Sequence, residues 1–130
     1  MHGGLVWIVA AYIISRTVQV ELAVWLPYAR PENGTGASYV KNVRLLHRVW
    51  VWLSAFLLIL IFCGPSGVLA LGAGWIICRL FGIWCYRRIG GVTGDLLGAC
   101  SEVTETLILL ISAFPGERLV EFTGWEILLQ

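Results

Sequence analysis

Long apolar runs dominate this chain and decide its solvent. LVWIVAAYII near the start, VWVWLSAFLLILIFC in the middle, and most of residues 68–86 and 96–114 carry almost no charge. A helix needs about 20 mostly apolar residues to cross a bilayer. Charged residues make up 13% of the 130 and apolar residues 58%, against about 25% and 45–50% in soluble domains. A water-soluble fold could not cover its surface with so little charge. The expected fold is all-α, a polytopic membrane helix bundle with about four transmembrane helices, its partner being membrane lipid. The net charge of +1 gives no pull toward nucleic acid.

Span one covers residues 5–26. Ser15, Arg16, Thr17, Gln19 and Glu21 in its second half form a wet stripe that must face the bundle interior or the water interface. Residues 27–48 form a polar connection, with turn chemistry in Pro31-Glu-Asn-Gly-Thr-Gly36. Span two covers 49–63, and lengthens if Leu45 and Leu46 join it while Arg48 snorkels to the interface. Gly64-Pro-Ser-Gly67 predicts a tight reversal into span three, 68–86, which Arg79 interrupts. Span four, 96–114, stops at Pro115-Gly116, and residues 115–130 form an unassigned tail. The 64–67 hairpin places the 30–48 and 87–95 loops on one side. Those loops hold six of the nine basic residues, so the positive-inside rule turns them toward the cytoplasm. Met1 then starts on the far side without an evident cleavable signal, an arrangement explained by an upstream membrane segment. Cys63, Cys78, Cys85 and Cys100 lie in apolar surroundings without metal-ligand spacing and read as small apolar fillers. The seven tryptophans, mostly near span ends, read as interfacial anchors.

The segment richest in chemistry is Gly90-Gly-Val-Thr-Gly-Asp-Leu-Leu-Gly-Ala99, a glycine turn opening into an apolar helix. Gly90, Gly91 and Gly94 let backbone N–H groups approach an anion, and a helix N-terminus presents unpaired donors. A phosphate suits them, and a divalent cation such as Mg²⁺ would reconcile it with Asp95. Asp95 and Glu102 fall nearly on one helical line, with Glu105 rotated off it. Acids this deep in a span call for a functional reading. The alternative is that Thr93 and Asp95 only cap the helix while the glutamates pair with Arg79 or Arg16. In the 28–36 segment, Arg30 offers a planar fork for phosphate, and Gly34 and Gly36 offer close approach; an ordinary interfacial turn is the competing reading. His2, before Gly3-Gly4, is on its own merits a solvated terminal residue. Arg79 reads best as a partner for Glu102 or Glu105.

GGVTGDLLGA at 90–99, followed by Glu102 and Glu105, resembles the C-terminal signature of the cobalamin synthase family, the adenosylcobinamide-GDP ribazoletransferases. YARPENGTG at 28–36 is similar to that family's A-R-x-x-G-x-G loop, and His2-Gly3-Gly4 to its central G-x-H-G-G junction. The resemblance covers residues 1–114, taken as the membrane-embedded C-terminal half of such a domain. It implies a multi-span inner-membrane enzyme that uses Mg²⁺ to join adenosylcobinamide-GDP to α-ribazole, or its 5′-phosphate, releasing GMP. It also implies roles: Asp95 with Glu102 for the metal, Asp95 and Arg30 for catalysis. His2, Gly34, Gly36, Gly90, Gly91, Thr93 and Gly94 fall to substrate phosphate. The family's acidic N-terminal D-G-x-x-D-x-x-D-G motif has no counterpart, since Asp95 is the chain's sole aspartate. A complementing N-terminal half, or an oligomer, is therefore expected as partner. The alternative function is a non-catalytic membrane subunit or remnant that binds a phosphorylated ligand or partner helices.

Overall fold

The computed structural model describes residues 2–29, 37–42 and 44–113. Its elements are α1 (His2–Trp25), α2 (Ala37–Asn42), α3 (Leu45–Ile89) and α4 (Gly94–Ala113). α1, α3 and α4 are long and apolar enough to cross a membrane. The chain is thus an all-α polytopic bundle, with three such helices where the sequence suggested about four. The difference lies in α3, because the second and third expected spans belong to one 45-residue element.

That element is not straight. Gly64 sits at φ 62°, ψ −156°, with Pro65 following. A positive φ suits glycine, and proline withholds the N–H the helix would need. The two limbs, residues 45–63 and 65–89, fold back on each other. Arg48 and Arg79 would lie about 46 Å apart on a straight helix, yet both reach the carboxylate of Glu21, at 2.7 and 2.9 Å. A Cβ on Gly67 would collide with Ile59 and Cys63 of the first limb. The reversal expected at 64–67 is therefore present inside α3.

α1 is the central helix and packs against both α3 and α4. Its buried residues Trp7, Ala11, Ile14, Val18, Glu21 and Leu22 recur at helical spacing. The second limb of α3 meets it with small residues. A side chain at Gly74 would strike Ile14, and one at Gly82 would strike Trp25 and Leu22. The Cys78 thiol lies 3.7 Å from the Val18 carbonyl. Lipid offers helices no hydrophobic reason to associate, so such close approach is what holds them together. All four cysteines are buried and unbonded to one another, as expected of fillers. Two buried threonines are satisfied by their own helix, Thr17 donating to the Ile13 carbonyl at 2.8 Å and Thr104 to that of Cys100 at 2.7 Å, whereas the buried Ser101 hydroxyl finds no partner among the described residues. Leu5, Ile8, Leu53, Phe56, Leu69 and Leu80 point outward, the pattern of helices solvated by lipid.

One polar cluster lies inside this apolar frame. Glu21 is fully buried, its Oε2 taking Arg48 Nε at 2.7 Å and Trp52 Nε1 at 2.9 Å. Its Oε1 takes Arg79 Nη2 at 2.9 Å. The Arg79 guanidinium also lies over the Trp25 and Trp75 rings, 4.3 and 5.1 Å from their centroids. The expected pairing of Arg79 with Glu102 or Glu105 is thereby corrected, because Glu21 takes it. Arg16 pairs with no glutamate among the described residues either, donating to Gln19 at 3.2 Å over the Tyr12 ring. Nor are Trp25, Trp52 and Trp75 only interfacial anchors, since all three engage this cluster.

Beyond α1 the chain meets the loop before α4. Val92 N–H donates to the Pro27 carbonyl at 2.9 Å, and Ala29 N–H to the Val92 carbonyl at 2.8 Å. This is a parallel bridge between Tyr28 and Val92.

Glu21→Gln leaves two guanidiniums short of their anion and should cost about 2–3 kcal/mol, discounted from a fully buried pair for their partial exposure. Adding Arg79→Met should recover at least half of that loss. Denaturant titration in detergent reads both values, and an unchanged Glu21→Gln midpoint would refute the cluster's structural role. Gly91→Ala, whose new Cβ would run into the Pro27 carbonyl, should break the bridge. Hydrogen exchange at the Ala29 and Val92 amides should then rise by about tenfold or more, while the helices keep their protection.

Candidate functional site

The loop at residues 90–93 is built by three local devices. Gly90 ends α3 in the left-handed region, φ 76°, its N–H donating to the Tyr86 carbonyl at 2.9 Å; this is a glycine C-cap. Gly91 lies against the Pro27 carbonyl so closely that no side chain fits between them. Thr93 caps α4, its Oγ1 accepting from Leu96 N–H at 3.3 Å, and its carbonyl accepts from Leu97 N–H at 3.0 Å. Thr93 thus does what the capping alternative required. A side chain used as an N-cap satisfies one of the donors that a helix start presents.

Asp95 occupies that first turn and is exposed. A carboxylate here is favoured by the helix dipole. Glu102 is also exposed and lies seven residues on, about 10 Å further along the axis. Glu105 is half-buried, one carboxylate oxygen 3.5 Å from the Ser15 hydroxyl, which donates at the shorter distance of 2.9 Å to the Tyr12 carbonyl. Among the described residues no three acidic, histidine or cysteine side chains converge as a metal-binding group. Asp95 fits an ion that draws most of its shell from phosphate and water, the usual habit of Mg²⁺. Asp95 and Glu102 by themselves do not make a closed cage.

Arg30, Gly34 and Gly36 lie outside the described residues, and so does the side chain of His2. The chain entering the Arg30 segment is nonetheless anchored, for Ala29 is bonded to Val92. The glycine loop and the lead-in to Arg30 are therefore pinned together at one end of the bundle. The same end carries the start of α3, where Arg44 N–H donates to His47 Nδ1 at 3.1 Å. The opposite end holds Val6 beside Cys63, so His2 starts α1 on the far side from Gly90.

Sequence reasoning missed the Glu21, Arg48, Trp52 and Arg79 cluster as a unit. Its signal was available in part, since a glutamate and an arginine each interrupt an apolar span and each needs a partner. Nothing in either span alone says that they meet.

The family model described as Cobalamin-5-phosphate synthase matches residues 1–113. Several curated relatives carry the name adenosylcobinamide-GDP ribazoletransferase. That of Chlorobium phaeobacteroides is 44% identical over 112 residues, covering 83% of this chain and 45% of the relative. That of Chlorobaculum parvum is 36% identical over 116 residues, covering 85% and 45%. That of Syntrophobacter fumaroxidans is 35% identical over 105 residues, covering 78% and 41%. The chain thus spans under half the length of these relatives, and no solved structure matches it. With the glycine loop, its capped helix and the bridge to the Arg30 segment all inside the matched region, the chain belongs to the Cobalamin-5-phosphate synthase family.

Proposed function

We propose that this chain supplies the membrane-embedded C-terminal half of an adenosylcobinamide-GDP ribazoletransferase site, and that it acts with a complementing N-terminal half. The observation that carries the reading is the bridge at Tyr28 and Val92. It holds the glycine loop against residues 27–29, which lead into the Arg30 segment, and this supports a reading in which two phosphate-seeking elements act together. In the reaction, a free ribose hydroxyl that α-ribazole and its 5′-phosphate share, and so not the 5′ one, attacks the cobinamide-linked phosphorus. The bond to GMP breaks and the attacking hydroxyl gives up its proton. On this reading Arg30 and the Gly90–Gly94 backbone hold the diphosphate, and Thr93 sets the angle of the helix start that faces it. Asp95 would hold Mg²⁺, with Glu102 in reach through water. When bound, that ion would neutralise charge on the diphosphate. The surface faces the cytoplasm, in keeping with its basic loops, and the membrane is the inner one.

Glu102 supports a missing partner. An exposed carboxylate two turns inside a membrane span is costly against lipid. A further polar helix or a water-filled mouth over that face of α4 would remove the cost, and an acidic N-terminal half would complete the metal ligands there.

The test combines this chain in liposomes with the N-terminal half of a relative, supplied with adenosylcobinamide-GDP, α-ribazole and Mg²⁺. The pair should release GMP where neither half does. Asp95→Asn should lower the rate by about 10²–10³-fold, the loss typical of one charge-stabilising group. Turnover by this chain alone would refute the need for a partner. An unaffected Asp95→Asn rate would refute the metal role, and a silent pair would favour a non-catalytic subunit.

A further inference from the structure

Between the two limbs of α3 runs an open cavity of 740 Å³. Trp52 and Phe56 wall it on one limb, Leu71, Gly72 and Trp75 on the other, and Arg48 stands at its mouth. Phe56 and Trp75 are exposed, so the cleft opens sideways toward lipid. Its walls are apolar over their whole length except at Arg48.

The mouth carries unmatched positive charge. Two guanidiniums against one carboxylate leave a formal excess of one positive charge at the Glu21 cluster. Arg48 spends Nε on Glu21, so its two terminal nitrogens have no partner among the described residues, and its side chain is 34% exposed. Arg79 Nε is buried without an acceptor, a second sign that the cluster is one anion short. Arg48 lies in the first turn of α3, at the end of an apolar limb, where a span meets the headgroup region. Basic pockets between spans recognise anionic headgroups by this combination of charge and depth.

We infer that the α3 cleft is a binding site for one anionic phospholipid, its phosphate on Arg48 and one acyl chain between the limbs. Charge selects the anion, and the apolar walls select an amphiphile over free phosphate. Gly72 keeps the cleft open: a Cβ there would touch nothing within 4 Å, so a larger residue fills the cleft without displacing protein.

The experiment incubates the detergent-purified chain with equimolar phosphatidylglycerol and phosphatidylcholine and measures retained lipid by native mass spectrometry. The native chain should keep one phosphatidylglycerol, preferred by about tenfold, the worth of roughly one charge-assisted contact. Arg48→Gln should erase the preference, and Arg48→Lys should keep most of it. Gly72→Leu should lose both lipids while its thermal transition stays in place, and this variant decides the matter if Arg48→Gln does not fold. Equal retention of the two lipids by the native chain would overturn the proposal. So would lipid retained by Gly72→Leu, or displacement of phosphatidylglycerol by equimolar inorganic phosphate.

Discussion

The carboxylate of Glu21 is the point on which the helices agree. It arrives on α1 and is satisfied from both limbs of the α3 hairpin, by Arg48 and Trp52 on one and Arg79 on the other. In an apolar medium the cost of an unpaired charge is high on every alternative packing. Sliding the hairpin one turn along α1, about 5.4 Å, would strand the carboxylate and two guanidiniums. Hydrophobic contact sets no such condition, because a leucine loses little by exchanging a neighbour for lipid. The small residues that face α1, Gly74, Cys78 and Gly82 among them, allow the helices to come close. The ion cluster decides at which register they do so.

That register carries through to the surface. Glu21 lies one turn before Trp25, where α1 ends and the chain passes through Leu26 to Pro27. Pro27 is where Gly91 packs and Val92 bonds. α3 contributes Arg79 to the cluster and, about three turns later, Gly90 to the loop. The same two elements are thus fastened twice, once by charge inside the bundle and once by backbone hydrogen bonds at its end. The glycine loop inherits its position from both fastenings.

Much of this was legible in the sequence, and what was not has a common cause. The apolar runs gave helix bounds within a few residues, Gly64 and Pro65 marked the reversal, and Thr93 before the last helix marked its cap. These are signals local to one element. Glu21 could be recognised as a residue that must face inward, but its partners are 27 and 58 residues away in the chain. Arg79 was given to glutamates on α4, which composition cannot distinguish from Glu21. Trp25, Trp52 and Trp75 read as anchors because position along a span was their only visible property. Pairings between helices depend on rotation and register together, and neither is written in a single periodicity. For the candidate site, the loop and cap were readable, and the bridge that joins them to residues 27–29 was not.

The carboxylates divide according to what surrounds them. Glu21 is fully enclosed and bound by three donors of the protein itself, so it holds helices and is closed to a ligand. Asp95 and Glu102 lie exposed on α4, the first at a dipole end that favours negative charge. Glu102 has no such local benefit two turns deeper. Its placement is costly in the isolated bundle, and on the reading proposed above a partner would offset that cost. The same holds for the excess guanidinium charge at the other side of α1. Both leave a bundle whose polar groups are only half matched from within.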